Sequence, residues 1–325
     1  MDDLVGSPAH DPLTLLAWAL AAAALLGAFT LFAASVDGAL LAHGEGRGVS
    51  AGAALPVREV ARLLRQRRRT TPAADSLLWR VGAASFLILA LLKISLVPLG
   101  DAVVFPSSVG LVWFNALDAA VWAAVWLAGW GANAVNPLLG GYRFLALAIA
   151  YELPLMFTLV APAVAAGSLD VQEIAAAQSE LWYLVLMPVA FLIYCLSVLA
   201  FSVVGPFAAP FSSDIAGGVD AELSGVDRLL VAGGRYALLA AGSAFAVPLF
   251  LGGGAGPLLP SWAWVLIKAL VLLGALVALR RALPLARPDR FLEIGWVVLL
   301  PLALVQDLVV GIGAVMASGG MSMNE

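Results

Sequence analysis

Long apolar runs alternate with short polar connections along almost the whole chain. Eight of these runs reach about 20 mainly apolar residues, the length a helix needs to cross the hydrocarbon core. They lie near 13–36, 77–100, 107–131, 142–167, 181–204, 229–251, 262–283 and 291–317. Two connections are long, 37–76 and 205–228, and the others are short. The first run is too long, and its start too poor in basic residues, for a cleaved signal peptide. The pattern predicts an all-α, polytopic integral membrane protein with about eight transmembrane helices, forming a single membrane domain over residues 1–325.

Composition excludes the soluble alternative. Hydrophobic residues make up 62% of the chain and charged residues only 12%, against about a quarter charged in soluble domains. The 32 glycines and 10 tryptophans suit close helix packing and interfacial belts. A formal charge of −4 gives no reason to expect a nucleic-acid partner. The single cysteine, Cys195, forms neither an internal disulfide nor a structural zinc site. His10 and His43 both lie outside the apolar runs, which excludes an intramembrane bis-histidine haem. No dinucleotide fingerprint, Walker-type loop or zinc spacing is present, and Gly252-Gly-Gly-Ala-Gly256 reads as a connecting loop. No catalytic residue, cofactor site or metal site is expected in this chain.

The basic residues set the orientation. Lys93 and Lys268 are the only lysines among 17 basic residues, and every arginine sits in or near an odd-numbered connection. Arg58, Arg62, Arg65, Arg67, Arg68 and Arg69 crowd the first of these. The even connections and the termini carry acids but no Lys or Arg. The positive-inside rule places the odd connections in the cytoplasm and both termini outside. Within the first connection, the segment from Pro56 to Arg65 reads as an amphipathic helix, with Val57, Val60, Leu63 and Leu64 on one face. It serves either as a headgroup anchor or as a docking and ligand-admitting surface.

Five ionisable residues fall well within the runs, Lys93, Asp118, Glu152, Lys268 and Asp307, with Arg143, Arg235 and Glu293 nearer run ends. Each costs at least about 2.5–3.5 kcal/mol near the bilayer centre and so calls for a partner or a function. Static ion pairs, snorkelling and a proton-relaying path are all compatible with these residue types. Glu152 precedes Pro154, where the missing backbone donor suggests a hydrated break in the helix. Asp307, beside Gln306, reads as a structural carboxylate.

Several segments resemble the H subunit of bacterial NADH-quinone oxidoreductase (respiratory complex I). Ala128-Gly-Trp-Gly-Ala-Asn133, Leu138-Leu-Gly-Gly-Tyr-Arg143 and Tyr151-Glu-Leu-Pro154 resemble the family's AGWxSN, LLGxxR and YExP signatures. Towards the C-terminus, Lys268, Arg281-Ala-Leu-Pro284, Arg287, Asp289 and Gly295-Trp-Val-Val-Leu-Leu-Pro-Leu-Ala-Leu304 fit its lysine-bearing span, its basic loop and its last span. Gly44, Arg47, Gly52, Pro56, Glu59 and Arg62 fit the family's first loop. The likeness runs from about residue 13 onward.

The resemblance implies a component of the bacterial plasma membrane that joins a membrane arm to a peripheral arm and encloses much of a quinone chamber. It implies coupling of quinone reduction to proton translocation, with quinone as substrate and the iron–sulfur clusters held by partner subunits. Those partners are peripheral iron–sulfur and quinone-site subunits and small membrane subunits, with lipid around them. Arg47, Glu59, Arg62, Asp214, Glu222 and Arg287 are the implied chamber residues, and Asp118, Arg143, Glu152 and Lys268 the implied proton path. The fifth connection departs from the family's acidic pattern: Phe201, Val204, Ala208, Phe211, Ser212 and Ser213 stand where it is polar or charged. Arg235 occupies an acidic position of the following span. Two other readings remain open: a scaffold subunit of a related complex, such as a membrane-bound hydrogenase, without quinone chemistry, and a solute or ion transporter.

Overall fold

The computed structural model describes residues 12–100, 102–212 and 217–321. Among them there is no β-strand, only a single antiparallel bridge between Leu99 and Ala102. Among the described residues, seven helices are long and apolar enough to cross a membrane. In chain order the helices begin with α1 (Pro12–Gly44), α2 (Val49–Ala53), α3 (Leu55–Arg65) and α4 (Ser76–Ser95). Next come α5 (Gly110–Gly131), α6 (Val135–Ala166), α7 (Val171–Ala176), α8 (Tyr183–Leu186) and α9 (Pro188–Phe201). The last are α10 (Gly225–Phe250), α11 (Ser261–Ala282), α12 (Pro288–Ile294) and α13 (Leu300–Met321).

Three differences from the predicted spans have local causes. The helix expected to end near 36 continues to Gly44, because Ala39, Leu40 and Leu41 extend its apolar pattern beyond Asp37. The span expected over 181–204 is divided into the short α8 and the 14-residue α9 at Pro188, which has no N–H to offer the turn before it. The expected hydrated break at Pro154 is not found: α6 runs unbroken through both Pro154 and Pro162. The carbonyl that Pro154 leaves without a donor, that of Ala150, stands against Gly295, where a Cβ would collide with it. From Gly295 to Leu299 the chain widens into a π-helical turn, with the Leu300 N–H reaching back to the Gly295 carbonyl. Pro301 accounts for this, since it cannot supply the α-helical donor for the Val297 carbonyl.

Helix α10 forms the centre of the bundle, and residues 237–250 are buried without interruption. Small residues allow its neighbours to approach closely. Gly234 of α10 faces the Phe86 Cβ of α4, and Gly82 of α4 faces the backbone of Ala124 and Ala128 of α5. Helices α12 and α13 lie on the outside against α6 and are the most exposed.

The odd connections meet at one end of the bundle. Arg68 pairs with Asp227 at 2.8 Å, Asn133 donates to the Ala73 carbonyl at 2.9 Å, and the Ala286 N–H donates to the Pro206 carbonyl at 2.8 Å. The even connections meet at the opposite end, where Leu111 N–H bonds the Leu169 carbonyl and Gly252 N–H bonds Gln178 Oε1. This sorting agrees with the arginine pattern: one end of the bundle is rich in arginine and the other is not.

Candidate functional site

Two fully buried charged side chains form an ion pair. Lys93 of α4 and Asp118 of α5 are both fully buried, with Nζ 2.5 Å from Oδ1. The ammonium also lies over two aromatic rings, 4.4 Å from the centroid of Phe114 and 3.8 Å from that of Phe201. Cation–π attraction therefore supplements the carboxylate on the sides where water is excluded. Glu152, half-buried on α6, faces Asp118 and the Trp122 indole, with Tyr151 beside it. Yet Asp118 Oδ2, Glu152 Oε2, Trp122 Nε1 and the Tyr151 hydroxyl make no hydrogen bond that closes geometrically among the described residues. Two acids, one base and spare donors and acceptors thus share one buried site.

Lys268 stands apart from this cluster. Its ammonium donates to three backbone carbonyls, those of Leu251 at 2.7 Å, Gly253 at 2.9 Å and Ala255 at 2.8 Å. It thereby caps the C-terminal end of α10, over the Trp182 ring at 4.3 Å. Asp307 is joined to nothing: both of its carboxylate oxygens are covered and unpaired among the described residues.

At the arginine-rich end the expected chamber residues do not converge. Arg47 pairs with Glu45, Glu59 with Arg62 and Arg287 with Asp289, each pair local in sequence and largely exposed. The Arg62 guanidinium holds the Glu59 carboxyl below its ordinary range. Glu222 is half-buried at the end of a short 3₁₀ turn, and Asp214 lies outside the described residues. Arg143 of α6 donates to the Gly217 carbonyl at 2.7 Å and so ties α6 to the fifth connection.

The stronger network at this end was not legible in the sequence. Asp37 of α1 accepts from Arg281 Nε at 2.7 Å and Nη2 at 2.8 Å, and from the Tyr236 hydroxyl at 2.7 Å. Arg280 adds a contact at 3.6 Å. Beside it, Arg235 donates to the Val203 carbonyl, lies 4.7 Å from the Phe211 ring and reaches Asp220 at 3.6 Å. Burial pushes the Asp220 carboxyl up, while Arg235 and Arg228 oppose the shift. The one sequence signal for Asp37 was the continuing apolar pattern after it, which leaves an acid inside a helix.

A model of the family described as NADH dehydrogenase matches residues 17–311. The chain belongs to the family of NADH-quinone oxidoreductase H subunits. It is 33% identical over 267 residues to the NADH-quinone oxidoreductase H subunit numbered 2 of Geobacter sulfurreducens, covering 79% of this chain and 81% of the relative. It is 34% identical over the same length to the H subunit numbered 1 of Geobacter metallireducens, with the same coverage of each. The H subunit of Geobacillus kaustophilus is 31% identical over 255 residues, 77% of each chain. This divergent family member is therefore a multi-pass membrane component of a multi-subunit complex of that type. Phe201, Val204 and Phe211, at and beyond the end of α9, are all buried in the bundle. Phe201 supports Lys93, and Phe211 stands edge-on to Phe86 at 5.8 Å beneath Arg235.

Proposed function

We propose that this H-type chain borders a quinone chamber at its arginine-rich end and couples quinone reduction by a partner's iron–sulfur cluster to proton movement through the buried Lys93–Asp118–Glu152 cluster. The observation that carries the proposal is the cluster itself. A fully buried ion pair next to a second carboxylate is expensive to maintain as scaffolding alone, and the unsatisfied atoms around it leave room for a proton to change position. The arginine-rich end is the cytoplasmic one by the positive-inside rule. Arg47, Glu59, Arg62, Asp214, Glu222 and Arg287 contribute to a surface that partner subunits close over the quinone. Arg143 holds the fifth connection in place, and Asp118 and Glu152 carry the proton. The peripheral iron–sulfur and quinone-site subunits dock here, and the small membrane subunits pack against the lipid-facing spans.

The test uses Glu152→Gln and Arg143→Ala in the assembled complex, with quinone reduction and proton uptake measured together in vesicles. Glu152→Gln is expected to cut proton uptake roughly tenfold or more, in the range for loss of a positioned proton carrier, and Arg143→Ala to slow both rates. Unchanged rates in both variants would refute the coupling role. The packed aromatic side chains of the fifth connection favour a second reading, a scaffold subunit without quinone chemistry. That reading predicts assembled complexes whose quinone reduction is indifferent to Glu59→Gln, Arg62→Ala and Glu152→Gln alike.

A further inference from the structure

On the orientation just proposed, the end of the bundle opposite the arginines faces outward, and it is built in layers. Its surface holds an open bowl of about 550 Å³, where Gln172, Glu173, Ser179 and Ser261 stand among apolar side chains and loop 252–255. Directly beneath the loop sits Lys268, itself buried, with all three ammonium donors engaged by loop and helix-end carbonyls. The buried Gln178 side chain fastens the same loop. It accepts from Gly252 N–H at 3.0 Å and donates to the Pro248 carbonyl at 2.7 Å.

Below this cap is a buried aromatic layer. Phe250 contacts Phe191 and Tyr194, with ring centroids 5.6 and 5.5 Å away, and Phe245 is stacked on Phe114 at 3.8 Å. The Tyr194 hydroxyl donates its proton to the Gly242 carbonyl at 2.8 Å. Only then comes Lys93, between Phe114 and Phe201. From Gly242 to Leu251 along α10 the separation is about 13 Å at the helical rise per residue.

We infer that Lys268 and the aromatic layer under it form an outer seal, which keeps protons in the bowl from reaching the Lys93–Asp118–Glu152 cluster. Two barriers act in series. A fixed cation repels hydronium and other cations, and an apolar constriction excludes the water that would conduct protons. The cap also satisfies carbonyls that the end of α10 leaves open, and a cation there opposes the negative end of the helix dipole. The cluster then takes and returns protons only on its cytoplasmic side or through neighbouring subunits. The inference rests on the orientation and proton-carrying role proposed above, and its test needs no quinone turnover.

The assembled complex is reconstituted in liposomes holding a trapped pH-sensitive dye, and passive proton entry is followed after an acid jump outside. Lys268→Gln keeps a donor for the carbonyls but removes the charge, and Phe245→Ala opens the aromatic layer. Together they are expected to raise proton entry roughly tenfold, as for the loss of an electrostatic barrier and a dewetted constriction. Adding Glu152→Gln should bring the rate back towards wild type, an effect that a merely loosened fold would not show. If the Ala variant fails to assemble, Lys268→Gln with Phe245→Leu carries the same comparison. A wild-type rate in the assembled double variant overturns the seal. So does a leak indifferent to Glu152→Gln, since that path would bypass the cluster. Loss of quinone-driven proton uptake in wild-type vesicles would instead count against the coupling proposal, whatever the leak.

Discussion

Asp118→Asn is the most informative single change. At 2.5 Å between Nζ and Oδ1, an effective dielectric of about 20 gives a gross attraction of about 6–7 kcal/mol. Desolvating two ions costs several kcal/mol each, so the intact pair contributes little net stability. Breaking it is a different matter. Asparagine leaves the fully buried Lys93 ammonium with two aromatic rings and, as counter-charge, only Glu152, and losing the hydrogen-bonded partner of a buried pair costs about 3–5 kcal/mol. Lys93→Met should cost less, because the orphaned Asp118 can share a proton with Glu152. Lys93→Met with Asp118→Leu removes both charges and should return close to wild-type stability. The assay is the apparent unfolding temperature of the detergent-solubilised complex, followed by fluorescence-detected size exclusion through the double-mutant cycle. The expected order is Asp118→Asn lowest, then Lys93→Met, with the double variant well above both. A double variant as unstable as the sum of the singles would refute the buried-pair argument. The same double variant, stable yet unable to take up protons, would separate the pair's part in coupling from its part in the fold.

Two further perturbations test the arginine-rich end. Asp37→Asn removes the charge that holds Arg281 through two short hydrogen bonds, together with the Tyr236 contact. It should cost about 2 kcal/mol, in the range for hydrogen bonds to charged groups, and Tyr236→Phe about half of that; equal unfolding temperatures for all three proteins would rule out the tie between α1, α10 and α11. Asp220 gives a pH signature. Its carboxyl is raised by burial in the folded chain, so the unfolded chain loses that proton first, and this group's contribution to stability falls as pH rises above the ordinary carboxylate value. In Asp220→Asn this decline above the ordinary carboxylate value should disappear, and an unchanged pH slope of the unfolding temperature would show that Asp220 is not the group responsible.

Most of the fold could be read from the chain because a membrane-spanning helix is specified by local composition, and hydropathy over about 20 residues decides it. Where prediction and structure differ, the cause lies outside that window. Pro188 divides a span that is apolar throughout, whereas Pro154 and Pro162 divide nothing because neighbouring helices hold α6 together. The ionisable residues show the limit more sharply. Lys93 and Lys268 are alike in sequence terms, each a lone lysine in an apolar helix. One reaches a carboxylate and two aromatic rings; the other reaches three carbonyls of a glycine loop. The difference is in what the facing helices present, and no pattern along α4 or α11 encodes it. The resemblance to a family implies a place for Lys268 on a proton path, and the structure shows its ammonium engaged by three backbone carbonyls. In the seal inferred above that charge excludes protons, and the lysine that faces Asp118 and Glu152 is Lys93.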